Sequence, residues 1–562
     1  MKKQTRRSGI IIMSSLIILL GSLAYVMLLA IINGSLGFLC AMGVTIFGAI
    51  GVAKAIGESI AMSYGLIIGL SITCGVLRGL LRYFEQYSNH YIAFKLLAVL
   101  RYKVFKALRR LCPAKLESKQ KGSIIAMITS DIETLEVFYA HTISPICIAI
   151  IVSTIVILFV GFISSWYLAL ITIIGYISIG VCIPIISSKR LKECGVMYRE
   201  QFSSFNAYFM DSLKGIKDII LNNAGYSRGK EINKRSALML EQTKSIRSKS
   251  TKAFAITELI VSIFILLTIV TCILLLSFEK LSIGKMIISA VTIFGSFGPV
   301  IAISALPSNL TQTFASGDRV LNLLAEKPVV EKIENAVDFE YENLEVTNLS
   351  FCYNDTFKVL QDIKMNVKKG EIVGIIGKSG CGKSTLLKLL LRFWEKDLGE
   401  INYNGNDITC INTDNLLQNV TLVSQTTYLF DESIENNLLM ANPNATAEDI
   451  ENACKMASIH NFILTLPQGY KTKVGMLGDN LSAGEKQRIG LARAFLRGSE
   501  LILLDEPTSN VDSINEGIIL KALKEQKNKK GIILVSHRES TMAIADRIYH
   551  IDNGKMREVT YD

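Results

Sequence analysis

The chain has 562 residues, of which 50% are hydrophobic, and a formal net charge of +11. This length allows two or three domains, and the mean hydropathy of +0.37 is high for a soluble enzyme. Basic residues cluster beside the apolar runs, which is typical of the cytosolic flanks of membrane spans and argues against nucleic-acid binding. The 11 cysteines include no CxxC pair, so neither a disulfide framework nor a zinc site is indicated.

The chain up to residue 308 contains six apolar runs, each long enough to cross a membrane core of about 30 Å. They predict spans at 10–33, 59–82, 138–163, 166–187, 253–277 and 283–307. The N-terminus and the C-terminal half should both be cytosolic, so the number of crossings should be even. We therefore interpret a further apolar run, 36–56, as an outer-face or re-entrant segment. Glu258, near the cytosolic end of the fifth span, is the charged side chain that we single out within the spans; it either contacts a ligand or snorkels to water.

Two polar segments, 83–137 and 188–252, separate the spans and contain few helix breakers. Residues 83–110 alone would extend about 40 Å as a helix. We expect both segments to form long cytosolic helical hairpins that carry movement between the two halves of the chain. The alternative is solvated helices with no coupling role.

The C-terminal half contains a glycine-rich loop between a predicted strand, 371–376, and a predicted helix that starts at Thr385. Backbone N–H groups of such a loop face nucleotide phosphates, its lysine meets the β- and γ-phosphates, and the serine after it ligates Mg²⁺. The residues that we predict to bind the nucleotide here are Gly377, Lys378, Ser379, Gly380, Cys381, Gly382, Lys383, Ser384 and Thr385.

Two further apolar runs, 501–504 and 531–535, predict buried strands with polar residues at their ends. The first ends in Asp505, which suits Mg²⁺ coordination, and Glu506, which suits polarising the attacking water. The second is followed by His537, which either contacts the γ-phosphate or is structural; the spacing alone leaves both open.

Together these motifs make residues 340–560 resemble the nucleotide-binding domain of ABC transporters. The resemblance implies that Tyr353 stacks on adenine and that Gln425 senses Mg²⁺, while Glu506 and His537 become the catalytic glutamate and the switch histidine. It also implies that the signature loop completes the ATP site of a partner subunit, through Ser482, Ala483, Gly484 and Glu485. Residues 509–512 match the loop that communicates across the dimer.

Two positions depart from the family pattern. Ala483 replaces the first glycine of the usual LSGGQ or LSGGE signature, and Met476 stands where exporters often have a glutamate that contacts the membrane helices. These departures support one alternative function, a regulatory subunit whose own ATP site is slow. Intact Lys383, Glu506 and His537 oppose it.

Spans that precede the ATPase resemble the type IV exporter architecture. The predicted fold is an α-helical membrane domain of six spans (1–308), a linker (309–339) and an α/β P-loop nucleotide-binding domain (340–562). This organisation implies an ATPase in the cytoplasmic membrane that uses ATP and Mg²⁺, with its N-terminus and nucleotide-binding domain in the cytosol. Because the signature loop serves the other subunit's site, a dimer is implied.

The first polar segment is similar to the CydC-type half of CydDC transporters. The residues that carry this similarity are Arg82, Tyr83, Phe84, Glu85, His90, Phe94, Arg101 and Phe105, and later Pro113, Asp131, Tyr139 and Pro145. In that family the partner is a distinct homologous subunit, and the cargo is described as cysteine, glutathione or haem. We thus expect half of a heterodimeric exporter of such a small molecule or of an amino-acid-like compound. A peptide or multidrug exporter half is the alternative.

Overall fold

The computed structural model describes residue 7 and residues 9–117, 121–304, 306–353, 358–475, 478–509 and 511–559. The chain divides into two compact units. One unit consists of Met1–Arg110 and Lys119–Glu326, and the other of Leu111–Ser118 and Lys327–Asp562.

The first unit is helical. Its helices are α1 (Gly9–Leu19), α2 (Ala24–Ala55), α3 (Tyr64–Leu111), α5 (Lys121–Ala126), α6 (Ile132–Phe138), α7 (Ser144–Ile163), α8 (Trp166–Ile177), α9 (Ile183–Lys214), α10 (Ile216–Leu221), α11 (Gly225–Ser277), α12 (Ile283–Ser296), α13 (Gly298–Ser304) and α14 (Pro307–Ala325). A 3₁₀ turn covers Gly21–Leu23, and π-helical turns cover Met127–Asp131, Tyr139–Ile143 and Ser178–Cys182. The short α4 (Ala114–Glu117) falls in the second unit.

Within the described ranges, six helical stretches are long and apolar enough to cross a membrane. They are Gly21–Ala55, Tyr64–Leu111, Ile124–Ile163, Trp166–Arg190, Gly225–Ser277 and Ile283–Ser304. The number agrees with the prediction, but the first span is placed differently. The predicted span 10–33 is divided between α1 and the start of α2, and 36–56 continues α2 without a break rather than forming a re-entrant segment. Apolar residues run through both segments, so composition alone does not indicate where the helix ends.

The two polar segments form helices that continue directly from the spans. α3 has 48 residues and α11 has 53, about 72 and 80 Å at 1.5 Å per residue. Between α9 and α11 the ring of Tyr208 receives two guanidinium groups, those of Arg228 at 4.6 Å and Arg235 at 4.3 Å from its centroid. Cation–π contacts of this kind join α9 and α11 outside the apolar region.

One charged side chain that the sequence did not single out is buried in the first unit. Glu258 is exposed on α11, whereas Glu85 on α3 is only 4% exposed. Glu85 lies about 31 Å along the helix from Tyr64, close to the thickness of a membrane core, about 30 Å. The predicted span ends at residue 82, so the sequence prediction places Glu85 in the first polar segment and gives no sign of its burial.

The second unit contains two sheets. Its strands are β1 (Asn343–Cys352), β2 (Lys358–Lys368), β3 (Ile372–Ile376), β4 (Leu398–Tyr403), β5 (Asn406–Asp407), β6 (Val420–Val423), β7 (Leu501–Asp505), β8 (Gly531–Val535), β9 (Arg547–Asp552) and β10 (Lys555–Val559). The smaller sheet has the order β2-β1-β4-β5 and the larger has β10-β9-β3-β8-β7-β6. In the larger sheet β9, β3, β8, β7 and β6 are parallel.

Helices surround the larger sheet. They are α15 (Lys383–Leu390), α16 (Thr413–Asn419), α17 (Ile434–Leu439), α18 (Ala447–Met456), α19 (His460–Thr465), α20 (Ala483–Arg497), α21 (Ser513–Gln526) and α22 (Glu539–Met542), with 3₁₀ turns at Ile408–Cys410, Gly469–Lys471 and Lys527–Lys529. Strands β3, β7 and β8 are the three that the apolar runs predict, and they are buried along almost their whole length. Buried parallel strands of this kind place polar side chains together at their carboxyl ends.

Candidate nucleotide-binding site

The glycine-rich loop follows β3 and leads into α15. Gly377 has φ 155° and Gly382 has φ 108°, values that L side chains rarely adopt. A Cβ atom on Gly377 would lie 2.3 Å from the Ile551 carbonyl oxygen, and one on Gly382 would lie 2.7 Å from a Leu360 methyl. Both the backbone conformation and the lack of space for a Cβ atom therefore require glycine at these two positions. The two glycines let the loop fold tightly above the strand.

Lys383 is held inside this loop. It is 7% exposed, and its Nζ donates to the carbonyl oxygens of Gly377 at 2.7 Å and Lys378 at 3.0 Å. The ammonium is thus kept at the first turn of α15, where the helix N-terminus also favours anions. This position suits a lysine that meets phosphate oxygens.

The side of the site where Tyr353 is predicted to meet adenine is built from aromatic rings. Tyr353, at the end of β1, packs edge-to-face against Phe351 and Trp394, each at 4.9 Å between centroids. Its hydroxyl lies 3.0 Å from the Thr385 hydroxyl, which connects it to the phosphate-binding helix. The backbone N–H of Cys352 donates to Asp397 at 2.7 Å. Tyr353 therefore has a defined place beside the loop, with its ring 36% exposed and able to receive a base.

Trp394 and Asp397 were not predicted as site residues. Both lie in the segment between α15 and β4, which has no motif of its own. Only the pairing of β1 with β4 brings this segment to the Tyr353 side of the site.

Glu506 is where three of the predicted catalytic residues meet. Its carboxylate accepts from Gln425 Nε2 at 2.9 Å and lies 3.1 Å from His537 Nδ1. Its backbone is in the left-handed region with φ 50°, fixed by Glu506 N–H donating to Val535 and by Gln487 Nε2 donating to the Glu506 carbonyl at 2.5 Å. Unusual backbone conformations that persist through such contacts are frequent at functional sites. Three predicted residues, far apart in sequence, thus meet in one place.

Asp505 ends β7 beside the phosphate-binding loop. Burial raises the pKa of this carboxyl above its ordinary value, a hydrogen bond from the Ser384 hydroxyl opposes that shift, and the charge of Glu506 adds to it. The contact between Ser384 and Asp505 places two hard oxygen ligands side by side. This donor set fits Mg²⁺, which takes oxygen ligands and keeps several waters or phosphate oxygens of its own.

The signature residues begin α20. Ser482 is the N-cap: its hydroxyl accepts from Glu485 N–H at 3.3 Å, and the Glu485 carboxylate accepts from Ser482 N–H at 2.7 Å. This capping box fixes the start of the helix. Ser482 and Ala483 are both exposed, so the methyl group that replaces the usual glycine hydrogen meets no crowding from the described parts of the chain.

A partly buried ion pair that the sequence did not reveal lies beside the loops that follow Glu506 and carry His537. Glu516, 7% exposed on α21, accepts from Thr541 at 2.8 Å, Thr508 at 3.1 Å and Arg538 at 3.3 Å. Arg538 also donates to the Ser509 carbonyl at 3.1 Å. The pair joins the loop after Glu506 to the loop that carries His537. An acidic residue on a helix and an arginine next to a histidine give no sequence signal by themselves.

Two predicted features lie outside the described residues. Met476 is one, and Asn510 in the 509–512 loop is the other. For the rest of that loop, Asp512 N-caps α21 by accepting from Asn515 N–H.

Comparison with known proteins identifies the family of the chain. The family model described as ABC transporter matches residues 360–509, and the one described as ABC transporter transmembrane region matches residues 23–300. A probable ABC transporter ATP-binding/permease protein of Haemophilus influenzae is 47% identical over 552 residues, which are 98% of this chain and 100% of that protein. The chain belongs to the ABC transporter family.

Other relatives of this ABC transporter carry export names. The putative multidrug export ATP-binding/permease protein YgaD of Bacillus subtilis is 29% identical, over 85% of this chain and 83% of its own length. The multidrug resistance-like ATP-binding protein MdlA of Buchnera aphidicola is 31% identical, over 83% and 81%. The structure of a bacterial Atm1-family ABC exporter with ATP bound superposes with a TM-score of 0.83 at 22% identity, covering 95% of this chain and 94% of that one.

These findings confirm the predicted fold, six apolar helices fused to an ABC nucleotide-binding domain, and an ATP-dependent transporter activity. The chain is a multi-pass membrane protein. None of the relatives named here is described as CydC-type, so the similarity to CydC-type chains stays a prediction.

Proposed function

We propose that this chain is one half of a dimeric ABC exporter that hydrolyses ATP at its own site and moves a small molecule out across the cytoplasmic membrane. The observation that carries the proposal is the joint contact of Gln425 and His537 with Glu506, next to the loop that holds Lys383. The roles of the individual residues are part of this proposal.

The chemistry follows from the geometry of these side chains. Lys383 and the loop N–H groups bind the phosphates, and Tyr353 stacks on the base. Glu506 orients the attacking water and takes up its proton, while His537, in contact with the same carboxylate, holds it in place and faces the γ-phosphate. Ser384, Gln425 and Asp505 would hold Mg²⁺, which when bound neutralises phosphate charge.

A dimer is part of the proposal because the capped start of α20 is exposed, where it can meet ATP held by a second subunit. Closure of two such domains on ATP shifts the spans, and reopening follows hydrolysis. We propose a distinct homologous subunit as the partner and cysteine, glutathione, an amino-acid-like compound or haem as the cargo, on the similarity of 82–145 to CydC-type chains.

The multidrug names of the relatives support a second candidate, a multidrug or peptide exporter half. Purification of the chain with and without a co-expressed homologous subunit separates homodimer from heterodimer. ATPase stimulation of that complex by cysteine, glutathione, haem, peptides and lipophilic drugs then tests the cargo. Stimulation by drugs or peptides alone contradicts the thiol and haem proposal.

The regulatory-subunit alternative has a separate test. Glu506→Gln, placed in this subunit only, should reduce the rate of ATP hydrolysis by at least about 100-fold if both ATP sites of the dimer must hydrolyse ATP. Unchanged turnover would show that this subunit's site is slow and that its partner does the work. Glu525→Gln, an exposed change on α21 of the same domain, is the matched control.

A further inference from the structure

A buried polar cluster lies where α2, α3 and α7 meet at the inner edge of the membrane region. Glu85 is its centre: a Cβ added to Gly34 of α2 would lie 3.0 Å from the Glu85 carboxyl carbon and 2.3 Å from the end of Ile148 on α7. The Glu85 side chain is therefore wedged between two neighbouring spans. Ionisable side chains on membrane helices that face the interior of the bundle are typically functional.

Three side chains of the cluster carry buried polar atoms that have no hydrogen-bond partner among the described residues. They are Ser35 Oγ, next to Gly34, Asn89 Oδ1, one helical turn from Glu85, and Ser144 Oγ, one turn from Ile148. Their residues are 5%, 2% and 0% exposed. An unsatisfied buried polar group costs about 1–3 kcal/mol, so three of them on the helices that pack at Glu85 need an explanation.

The backbone beside Ser144 is also unusual. A π-helical turn, Tyr139–Ile143, directly precedes α7, and Ser144 is both its C-cap and the first residue of α7. Such turns insert an extra residue into a helix and occur frequently at functional sites. In the same turn the ring of His141 lies 5.7 Å from that of His90 on α3, which joins the π-turn to the helix that carries Glu85 and Asn89.

One side of the cluster opens outward through Arg82. This side chain is 55% exposed, whereas that of its partner Glu85 is 5% exposed. A single nitrogen, Nη1, contacts both carboxylate oxygens, at 3.0 and 2.7 Å. The stronger arrangement for an arginine uses two nitrogens in a fork, so this pairing leaves Arg82 comparatively easy to displace.

The chemistry of the cluster selects a ligand class. Every member can accept a hydrogen bond: the amide oxygen only accepts, each serine hydroxyl accepts as well as donates, and the carboxylate accepts once Arg82 leaves it. A protonated primary amine offers three N–H donors and one positive charge, which complements this set. We infer that Glu85, Asn89, Ser35 and Ser144 form a binding site for a protonated amine of the cargo, with Arg82 occupying the carboxylate until cargo arrives.

This inference rests on the proposed export function, because it assigns the cargo an entry point at the cytosolic edge of the bundle. The test uses the full transporter in lipid nanodiscs and four probes. They are 2-phenylethylamine, its N,N,N-trimethyl derivative, 2-phenylethanol and 3-phenylpropanoate, which share a ring and differ in charge and N–H donors. Equilibrium dialysis gives the dissociation constants.

We expect the primary amine to bind at least tenfold more tightly than the alcohol and the carboxylate, with the trimethyl compound between them. Glu85→Gln should weaken amine binding at least tenfold and leave the alcohol unaffected. Glu133→Gln is the matched control: Glu133 pairs with Arg101 at 3.4 Å and is 61% exposed, so amine binding should not change.

Asn89→Leu separates binding from folding. It replaces an unsatisfied buried amide oxygen by an apolar group of similar size, so the melting temperature should stay equal or rise while amine affinity falls several-fold. Equal affinity for amine and alcohol, or amine binding that survives both Glu85→Gln and Asn89→Leu, would overturn the inference and leave ordered water as the partner of these atoms. Absence of ATP hydrolysis by the wild-type complex would instead count against the proposed function, since dialysis needs no turnover.

Discussion

The partly buried pair of Glu516 and Arg538 offers the sharpest test of how the proposed ATP site is supported. Glu516→Ala removes the carboxylate that receives three hydroxyl donors and one guanidinium. Loss of one partner from a buried ion pair costs about 3–5 kcal/mol. Arg538 is 36% exposed and keeps its bond to Ser509, so we expect the low end, about 3 kcal/mol.

For a domain of this size, 1 kcal/mol corresponds to about 2–4 °C in melting temperature, so Glu516→Ala should lower it by about 6–12 °C. Glu516→Gln keeps the shape but not the charge and should cost about 1–2 kcal/mol. Turnover should fall with both variants because the loops that carry Ser509 and His537 lose their common support. The Kd for ATP should stay within about twofold of the wild-type value, since the hydrogen bonds of Glu516 and Arg538 do not involve the 377–384 loop.

The assay is thermal unfolding and steady-state ATPase of the purified complex, with Glu525→Ala as control. Glu525 is exposed on the same helix and should change neither quantity. A Glu516→Ala protein that melts within about 2 °C of wild type and keeps its turnover would refute the reasoning. A large loss of ATP affinity would show that the pair supports the phosphate loop instead.

Three further outcomes are expected. Because burial raises the folded pKa of Asp505, its carboxylate destabilises the folded chain above that pKa, and the cost disappears as pH falls through the raised pKa toward about 3.9. Asp505→Asn should therefore leave the melting temperature at pH 7 equal or higher while Mg²⁺-dependent hydrolysis falls at least about 100-fold; a lower melting temperature contradicts this. Tyr353→Leu should raise KM for ATP about tenfold with kcat unchanged, because stacking on a base contributes about 1–3 kcal/mol, whereas Trp394→Phe keeps an aromatic edge and should change KM less than about twofold. Ser482→Ala removes the N-cap and should cost about 1 kcal/mol, whereas Ser482→Asp keeps a cap; both should abolish hydrolysis if this hydroxyl meets the partner's ATP, and an active Ser482→Asp complex would argue otherwise.

Local sequence patterns predict much of the nucleotide site. An apolar run that ends in a glycine-rich loop, or in two carboxylates, predicts both a buried strand and the chemistry at its end. For this reason the strands β3, β7 and β8, and the loop from Gly377 into α15, lie where the sequence patterns predict them. The sequence also predicts six spans, because about 20 apolar residues are required to cross a bilayer core.

Prediction fails where one sequence pattern is compatible with two structures. Residues 10–56 are apolar almost throughout, and only the helical structure shows that α1 is separate and that α2 runs without interruption from Ala24 to Ala55. The same limit applies to Glu85. Its neighbours in sequence are polar and aromatic and give no sign of burial, whereas in the folded chain the carboxyl group packs against α2 and is 4% exposed.

The sequence by itself determined what each half of the chain is, since hydropathy and the spacing of the phosphate-binding residues are local properties. Tertiary structure alone decided which distant residues act together. Glu506 with Gln425 and His537, and Glu516 with Arg538, are contacts between separate elements, and the burial of Glu85 depends on the packing of α2 against α3. The physical reason is that a hydrogen bond or an ion pair depends on distances of about 3 Å, which only the packing of helices and strands sets.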